Sequence, residues 1–365
     1  MIPCNDSVRL FRKYQDEFET AAIDVLRSGR YVLGSSVDKF EKTFASSIGS
    51  SFCVGVDNGT NAIKLGIKAL GIGEGDEVLV QANTYIATVL GITDNGATPI
   101  FVEPNKFFNM DENDIEHRIT RRTKAIIVTH LYGQATKMDK IISLCKKYNL
   151  FLLEDCAQAH FAEYKKQKVG TIGTLGFFSF YPTKNIGAFG DGGAIVTNDA
   201  DLYEKLRMLR NYGSKTRYMF ELSGGTNSRL DEIQAALLNV KLKHAEEITN
   251  EKISIAKAYL KGIKNPNIKL PEVDDECSSV WHLFVLVVNN RDKFIKHLLN
   301  NGVQTDIHYP IPPHLSDCYK QLGYTKGDFP YAEYLAEHVV DLPIFNGMTA
   351  EEIETVVKAV NTYEE

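Results

Sequence analysis

Phe177-Phe178-Ser179-Phe180-Tyr181-Pro182-Thr183-Lys184, followed by the glycine-rich segment Gly187 to Gly193, is the most informative stretch of the sequence. It places one lysine at the end of an aromatic run. An ammonium group among aromatic walls is poorly solvated, so its proton affinity falls, and a neutral amine can attack a carbonyl carbon to form a Schiff base. The segment therefore predicts covalent carbonyl chemistry at Lys184. The alternative is an ordinary surface lysine after a proline turn.

A carboxylate upstream supports this prediction. Leu150 to Leu153 is typical of a buried parallel strand, and it runs into Glu154-Asp155-Cys156-Ala157-Gln158. Ligands of open α/β sheets bind outside the carboxyl ends of the strands, so Asp155 is expected to face a ligand. Pyridoxal phosphate (PLP) needs such a carboxylate on its ring nitrogen, because the protonated ring is the electron sink. Lys184 would hold the aldehyde of the same ring, although Asp155 as a simple turn cap is the alternative.

A phosphate site is predicted at a strand-to-helix turn. Phe52 to Val56 is predicted as a strand and Asn61 to Leu70 as a helix, with the turn Asp57-Asn58-Gly59-Thr60 between them. Gly59 permits close backbone approach, and free N–H groups at the helix start can bind an anion together with the Thr60 hydroxyl. Ser179 adds a hydroxyl near the lysine.

An aromatic side chain is expected beside this site. Tyr85 follows another predicted buried strand, Glu77 to Val80. It is predicted to stack on the cofactor ring, unless it is one more core aromatic.

The hydrophobic pattern predicts an α/β fold. Strand-like runs alternate with helical or turn segments at Val54, Val78 to Val80, Thr98 to Val102, Ala125 to Thr129, Phe151 to Leu153, Gly176 to Phe180 and Ala194 to Thr197. This alternation indicates a mostly parallel seven-stranded sheet with helices on both faces. A long helical stretch, Leu230 to Tyr259, is followed by a strand over Trp281 to Val288 and by helices over Asp292 to Asn301 and Ala350 to Thr362. We therefore predict a large domain over 1–245 and a smaller C-terminal α/β domain over 246–365.

Composition excludes several classes of protein. The 365 residues are 44% apolar, enough for a sizeable core, and 41 basic against 47 acidic side chains give a net charge of -6. Nucleic acid is an unexpected partner, since the longest basic cluster is Arg121-Arg122-Thr123-Lys124. No segment has the length and apolarity of a membrane span or a signal peptide, so a cytoplasmic protein is expected. The six cysteines lack a CxxC pair and are predicted to be reduced.

Other motifs are assigned plain structural roles. Gly71-Ile72-Gly73-Glu74-Gly75-Asp76 follows a predicted helix and precedes a strand, the reverse of a dinucleotide fingerprint, so it is predicted as a turn. Cys156 is interpreted as a small buried side chain rather than a nucleophile. Asp155 and His160 lack a third ligand at recognisable spacing, so no metal site is predicted.

Four segments together resemble the sugar-nucleotide aminotransferases of the DegT/DnrJ/EryC1/StrS group, which are PLP enzymes of fold type I. The segments are the lysine segment itself, Asn58-Gly59-Thr60-Asn61-Ala62, Glu154-Asp155-Cys156-Ala157-Gln158-Ala159-His160, and Asn227-Ser228-Arg229-Leu230-Asp231-Glu232-Ile233-Gln234-Ala235-Ala236. The resemblance extends from Tyr31 to Pro310 and implies the fold type I architecture, a large PLP domain plus a smaller C-terminal domain.

The resemblance also implies roles for individual residues. Lys184 would bind PLP and shuttle the substrate proton, Asp155 would pair with the ring nitrogen, and Gln158 would lie near the ring hydroxyl. The remaining cofactor residues would be Asn58, Gly59, Thr60, Tyr85, Ser179 and Asn227, the last reaching across a homodimer to the neighbour's phosphate, with a plain helix N-cap as its alternative. The substrate-binding residues would be Tyr181, Lys215, Arg229, His308 and Tyr309.

The implied reaction is transfer of an amino group from L-glutamate, by way of pyridoxamine phosphate, to a nucleotide-linked ketosugar. The relatives most resembled aminate carbon 3 of a dTDP-linked 3-oxo-6-deoxyhexose, for deoxyaminosugars of surface glycans or antibiotics. A 4-aminotransferase or a dehydratase remains an alternative, although relatives that dehydrate carry histidine where this chain has Lys184. A non-catalytic regulator that binds PLP or a nucleotide sugar is the alternative from another class.

Overall fold

The computed structural model describes all 365 residues, and twelve α-helices account for much of the chain. They are α1 Ser7–Lys13, α2 Gln15–Ser28, α3 Ser35–Ile48, α4 Gly59–Ala69, α5 Ile86–Thr93, α6 Asp139–Tyr148, α7 Ala200–Leu209, α8 Glu232–Lys243, α9 Ala245–Gly262, α10 Arg291–Asn300, α11 Pro330–His338 and α12 Ala350–Asn361. No helix is long and apolar enough to cross a membrane.

Fourteen strands complete the regular structure. They are β1 Phe52–Val56, β2 Glu77–Gln81, β3 Thr98–Val102, β4 Thr123–Thr129, β5 Phe151–Asp155, β6 Glu163–Tyr164, β7 Gln167–Lys168, β8 Leu175–Ser179, β9 Gly193–Thr197, β10 Ser214–Thr216, β11 Met219–Phe220, β12 Ile268–Lys269, β13 Phe284–Val288 and β14 Val339–Leu342.

Seven strands form one sheet in the order β1-β9-β8-β5-β4-β2-β3. The five strands from β8 to β3 are parallel to one another, whereas β9 runs antiparallel to both of its neighbours. The predicted mostly parallel seven-stranded α/β sheet is confirmed. The antiparallel direction of β9 was not predicted, because a short apolar run carries no sign of its direction.

The aromatic side chains of the run at 177–180 pack on both faces of this sheet. Side chains alternate across a strand, so Phe177 joins the core that contains α4 and α5, while Phe178 joins the core that contains α3 and α8. Phe180, just past the end of β8, packs edge-on against Phe40 and Phe44 of α3. Both faces of β8 are thereby anchored, and the strand delivers Ser179 and then Lys184 to its carboxyl end.

A second, three-stranded antiparallel sheet contains β12, β13 and β14. It packs with α9, α10 and α12 around a separate core that includes Phe284, Phe294 and Val356. Ile2, near the start of the chain, joins this core, and it pairs with Val303. The division of the chain at residue 245 stays a prediction.

Several element boundaries differ from those predicted. The stretch Leu230 to Tyr259 is two helices rather than one, because His244 leaves the helical conformation at φ -109° and ψ 13°. The strand predicted from Trp281 begins at Phe284, since Trp281 has φ 51°, which no strand residue adopts. The three N-terminal helices were not predicted. The Gly71 to Asp76 turn, between α4 and β2, is confirmed.

Candidate active site

A cavity of about 400 Å³ lies at the carboxyl ends of the parallel strands. Eleven of the predicted site residues line it, namely Asn58, Gly59, Thr60, Tyr85, Asp155, Gln158, Ser179, Tyr181, Lys184, His308 and Tyr309. Residues from five separate stretches of the sequence thus meet in one place. This is the position at which open α/β sheets bind their ligands.

Lys184 is half-buried on the loop that follows β8. Its backbone N–H donates to the Tyr181 carbonyl at 2.8 Å, which closes the turn around Pro182. Burial lowers the pKa of the amine to about 8, and the Asp155 carboxylate acts in the opposite direction. An amine with this pKa has a sizeable neutral fraction near neutral pH, as a nucleophile requires.

Asp155 is the last residue of β5 and is 4% exposed. Its Oδ2 accepts a hydrogen bond from the Thr88 hydroxyl at 2.7 Å, and its Oδ1 accepts one from the Ala157 N–H at 3.0 Å. Burial raises the pKa of this carboxyl, while the two hydrogen bonds and the Lys184 amine lower it. The Thr88 hydroxyl and the Ala157 N–H therefore fix the Asp155 side chain, which lines the cavity.

The first turn of α4 has the features of an anion site. Asn58 is the N-cap, and its side chain accepts from the Asn61 N–H at 2.8 Å. The amides of Gly59 and Thr60 precede the first residues that bond within the helix, so they are free to bind a ligand. A Cβ at Gly59 would lie 2.7 Å from the Ser179 Cβ, so only glycine lets the lysine strand approach this turn.

Gln158 connects two parts of the cavity wall. Its Oε1 accepts from the Tyr132 N–H at 2.7 Å, and its Nε2 donates to the Tyr309 hydroxyl at 2.9 Å. The rings of Tyr85 and Tyr309 lie 5.0 Å apart. Tyr85 is 51% exposed, so the alternative that it is a core aromatic is wrong.

His308 is oriented by a buried carboxylate. Its Nδ1 is hydrogen-bonded to Asp341, which lies on β14 and is fully buried, and its carbonyl accepts from the Tyr132 hydroxyl. Burial lowers the pKa of His308, but the hydrogen bond and charge of Asp341, together with the charge of Asp306, raise it, and the net shift is upward. Burial in turn raises the pKa of Asp341 to about 6. The pair favours an imidazolium at the cavity wall.

Replacing Asp341 with asparagine is expected to lower the pKa of His308 by about one to two units, because burial remains and the opposing carboxylate is lost. NMR titration of the histidine ring measures this shift. Asp306→Asn is the matched control, since Asp306 is also near His308 but its side chain bonds the Ile307 N–H. Equal shifts in the two variants would show that Asp341 has no special role.

Three predicted residues do not line the cavity of this chain, namely Lys215, Arg229 and Asn227. Lys215 is exposed on the β10–β11 hairpin, and Arg229 donates to Asn211 Oδ1 at 2.9 Å and stacks over Tyr212. Asn227 is exposed and pairs with Asn211 through the backbone. Asp231 caps α8, so the alternative that Asn227 is a helix N-cap is wrong.

The cavity contains polar residues that sequence analysis missed. They are Thr84, Thr88, Thr129, Thr183, Asp191 and His282. Thr84 and Thr88 flank Tyr85 at a spacing of four residues, which was a usable signal. His282 follows a tryptophan in a segment predicted as a strand, and nothing in that pattern marks it.

Cys156 and His160 are core residues rather than cavity residues. Both are fully buried. Burial raises the pKa of the Cys156 thiol well above its usual range and lowers the pKa of His160 to about 3. A protonated thiol without solvent access is a poor nucleophile, in agreement with its predicted structural role. All six cysteines are unpaired.

The donor set fits PLP. Asp155 is suited to the ring nitrogen, Lys184 to the aldehyde, and the α4 turn with Ser179 to the phosphate. The Gly59–Ser179 contact brings the anion site and the lysine strand together in one cavity. The chemistry of these groups is what this cofactor needs.

Known proteins are similar to this chain over almost its whole length. The family described as "DegT/DnrJ/EryC1/StrS aminotransferase family" matches residues 12–361. The dTDP-3-amino-3,6-dideoxy-alpha-D-galactopyranose transaminase of Aneurinibacillus thermoaerophilus is 51% identical, over 100% of this chain and 99% of that protein. The dTDP-3-amino-3,4,6-trideoxy-alpha-D-glucose transaminase of Streptomyces venezuelae is 41% identical, over 100% and 96%. A crystal structure of S. venezuelae DesV in complex with a ketimine intermediate superposes with a TM-score of 0.97 at 41% identity, covering 99% of this chain and 97% of that one.

Proposed function

The chain belongs to the DegT/DnrJ/EryC1/StrS aminotransferase family and is a PLP-dependent sugar aminotransferase, and on that premise we propose that it aminates carbon 3 of a dTDP-linked 3-oxo-6-deoxyhexose. The observation that carries the proposal is full-length identity of 51% to a transaminase whose named product is a dTDP-linked 3-amino-3,6-dideoxy sugar. The cavity supports it, because a nucleophilic lysine and a buried carboxylate line one pocket.

Lys184 is the catalytic residue of this proposal. When bound, PLP supplies an aldehyde and an electron-withdrawing ring. With its pKa lowered to about 8 by burial, the Lys184 amine is able to take a proton from the substrate carbon and to return it, as general base and then general acid. Asp155 would keep the ring nitrogen protonated, and the α4 turn would bind the phosphate.

L-glutamate is the proposed amino donor. The sugar is proposed to contact Tyr181, His308 and Tyr309. Tyr181 lies three residues before Lys184 and is 54% exposed, so its ring stands free at the cavity. His308 is held by Asp341, and Tyr309 by Gln158. Both side chains are therefore fixed before a ligand arrives, which reduces the entropic cost of binding.

A homodimer with shared active sites is also proposed. The cavity lining holds one lysine and no arginine, so a single chain offers little charge to a nucleotide diphosphate. Lys215, Arg229 and Asn227 of a second copy would add the missing cations and amide. Lys215 shares the β10–β11 hairpin with exposed apolar side chains, Tyr218 at 75%, Met219 at 61% and Phe220 at 66%, as expected of a surface that another chain covers.

The test is product analysis with ¹⁵N-labelled glutamate and, in parallel reactions, a dTDP-3-oxo-6-deoxyhexose and a dTDP-4-oxo-6-deoxyhexose. NMR is expected to show the label on carbon 3 of the first sugar and none on the second. Label on carbon 4 of a 4-oxo sugar would contradict the proposed acceptor but keep the aminotransferase assignment. Loss of a hydroxyl without nitrogen transfer would instead indicate a dehydratase, and cofactor binding without turnover would indicate a regulator.

A further inference from the structure

Three buried threonines form a continuous chain of hydrogen bonds that ends on Asp155. The Thr88 hydroxyl lies 2.7 Å from Asp155 Oδ2, the Thr84 and Thr88 hydroxyls are 2.9 Å apart, and the Thr84 and Thr129 hydroxyls are 2.9 Å apart. All three threonines are between 0% and 4% exposed. They come from the loop after β2, the first turn of α5 and the end of β4, so the fold brings them together at the carboxyl edge of the sheet.

The direction of these bonds follows from counting protons. A hydroxyl has one proton to donate, and an ionised carboxylate only accepts. Thr88 must therefore give its proton to Asp155, which leaves Thr84 as the donor to Thr88 and Thr129 as the donor to Thr84. With Asp155 ionised, all three O–H dipoles point toward the carboxylate.

We propose that Thr129, Thr84 and Thr88 are positioning residues that act as a directed hydroxyl relay, keeping Asp155 ionised and aligned for the ring nitrogen of the cofactor. This inference rests on the proposed role of Asp155. Aligned hydrogen bonds polarise one another, so each hydroxyl behind Thr88 strengthens the bond in front of it. The relay thereby opposes the burial that raises the pKa of Asp155.

Other charged groups around Asp155 do not replace the relay. The charge of Lys184 lowers the pKa of Asp155, but its amine makes no hydrogen bond to the carboxylate and so does not align it. His130 is near Asp155, but its Nε2 is 3.1 Å from Glu154 and its Nδ1 accepts from the Thr136 N–H. Burial raises the pKa values of the neighbouring Cys156 thiol and Tyr309 phenol, so both are neutral. The Thr88 hydroxyl, behind which Thr84 and Thr129 are aligned, and the Ala157 N–H are the remaining donors to Asp155.

The experiment uses the holoenzyme of Thr88→Val, Thr84→Val and Thr129→Val, reconstituted with PLP labelled with ¹⁵N in the ring. Valine keeps the shape of threonine and removes the hydroxyl. The ¹⁵N chemical shift reports the pH at which the ring nitrogen loses its proton. Thr88→Val is expected to lower that pH by about one unit, as for loss of a hydrogen bond to a charged group. Thr84→Val and Thr129→Val are expected to produce successively smaller shifts, the first roughly a quarter as large.

Thr136→Val is the matched control, because Thr136 is 1% exposed and its hydroxyl donates to the Thr129 carbonyl rather than to the relay. A graded series with an unshifted control supports the relay. A shift in Thr88→Val alone, or in none of the variants, overturns it. An unprotonated ring nitrogen in the wild-type enzyme would instead overturn the proposed role of Asp155 itself, so the two failures are distinguishable.

Discussion

Lys184→Ala is expected to lower the rate of amino transfer at least about 1,000-fold, the largest effect of any single substitution in this chain. The variant lacks the proposed nucleophile for the cofactor and the proposed base for the substrate proton, and proton transfer alone contributes 100- to 10,000-fold in enzymes. Steady-state assays with glutamate and ketosugar measure the change. Added free amines are expected to restore part of the rate, since the cavity itself is intact.

The matched control for this variant is Lys147→Ala. Lys147 is 61% exposed and pairs with Glu116 on the surface, so its loss changes a lysine without touching the cavity. The control is expected to keep wild-type activity. A Lys184→Ala rate within tenfold of wild type, in protein with the wild-type thermal midpoint, would show that another group does the chemistry.

The second large effect is expected for Asp155→Asn, at about 100- to 1,000-fold in kcat, as for removal of one preorganised electrostatic group in other active sites. Asparagine keeps the shape of the side chain, and its oxygen accepts from the Thr88 hydroxyl, but it has no charge to hold the ring nitrogen protonated. Comparing kcat of Asp155→Asn with that of the wild-type enzyme, both at saturating PLP, separates this effect from weakened cofactor binding.

Asp306→Asn serves as the control for a lost carboxylate, because Asp306 lies outside the cavity lining. It is expected to change kcat less than threefold. If excess PLP restored Asp155→Asn to the wild-type rate, Asp155 would be a binding residue only, and the proposed electrostatic role would be wrong.

The parts of the site that could be predicted from the sequence are those whose signal is local. Lys184 follows an aromatic run, Asp155 ends an apolar strand, and Gly59 lies in a strand-to-helix turn. In each case the residues next to it in the sequence give the physical reason for its predicted role. The parallel sheet then brings the three together, because the carboxyl ends of neighbouring strands share one edge.

The residues that could not be predicted depend on contacts between distant segments. Asp341 lies between two apolar residues on β14, so the local pattern predicts only a strand. Its hydrogen bond to His308 is seen only in the folded chain. In the sequence, Thr129 is an ordinary β-branched strand residue. Only the structure shows that its hydroxyl lies 2.9 Å from that of Thr84. The roles of Asn227, Lys215 and Arg229 depend on a second chain and stay predictions.

The most direct test of the central claim is a single turnover of the wild-type holoenzyme with L-glutamate and no sugar. We predict that the visible absorbance of lysine-bound PLP disappears, and that one 2-oxoglutarate forms per active site as the amino group stays on the enzyme. Addition of the ketosugar should then restore the absorbance. Unchanged absorbance and no 2-oxoglutarate, in protein that binds PLP fully, would contradict the assignment of this chain as a glutamate-dependent aminotransferase.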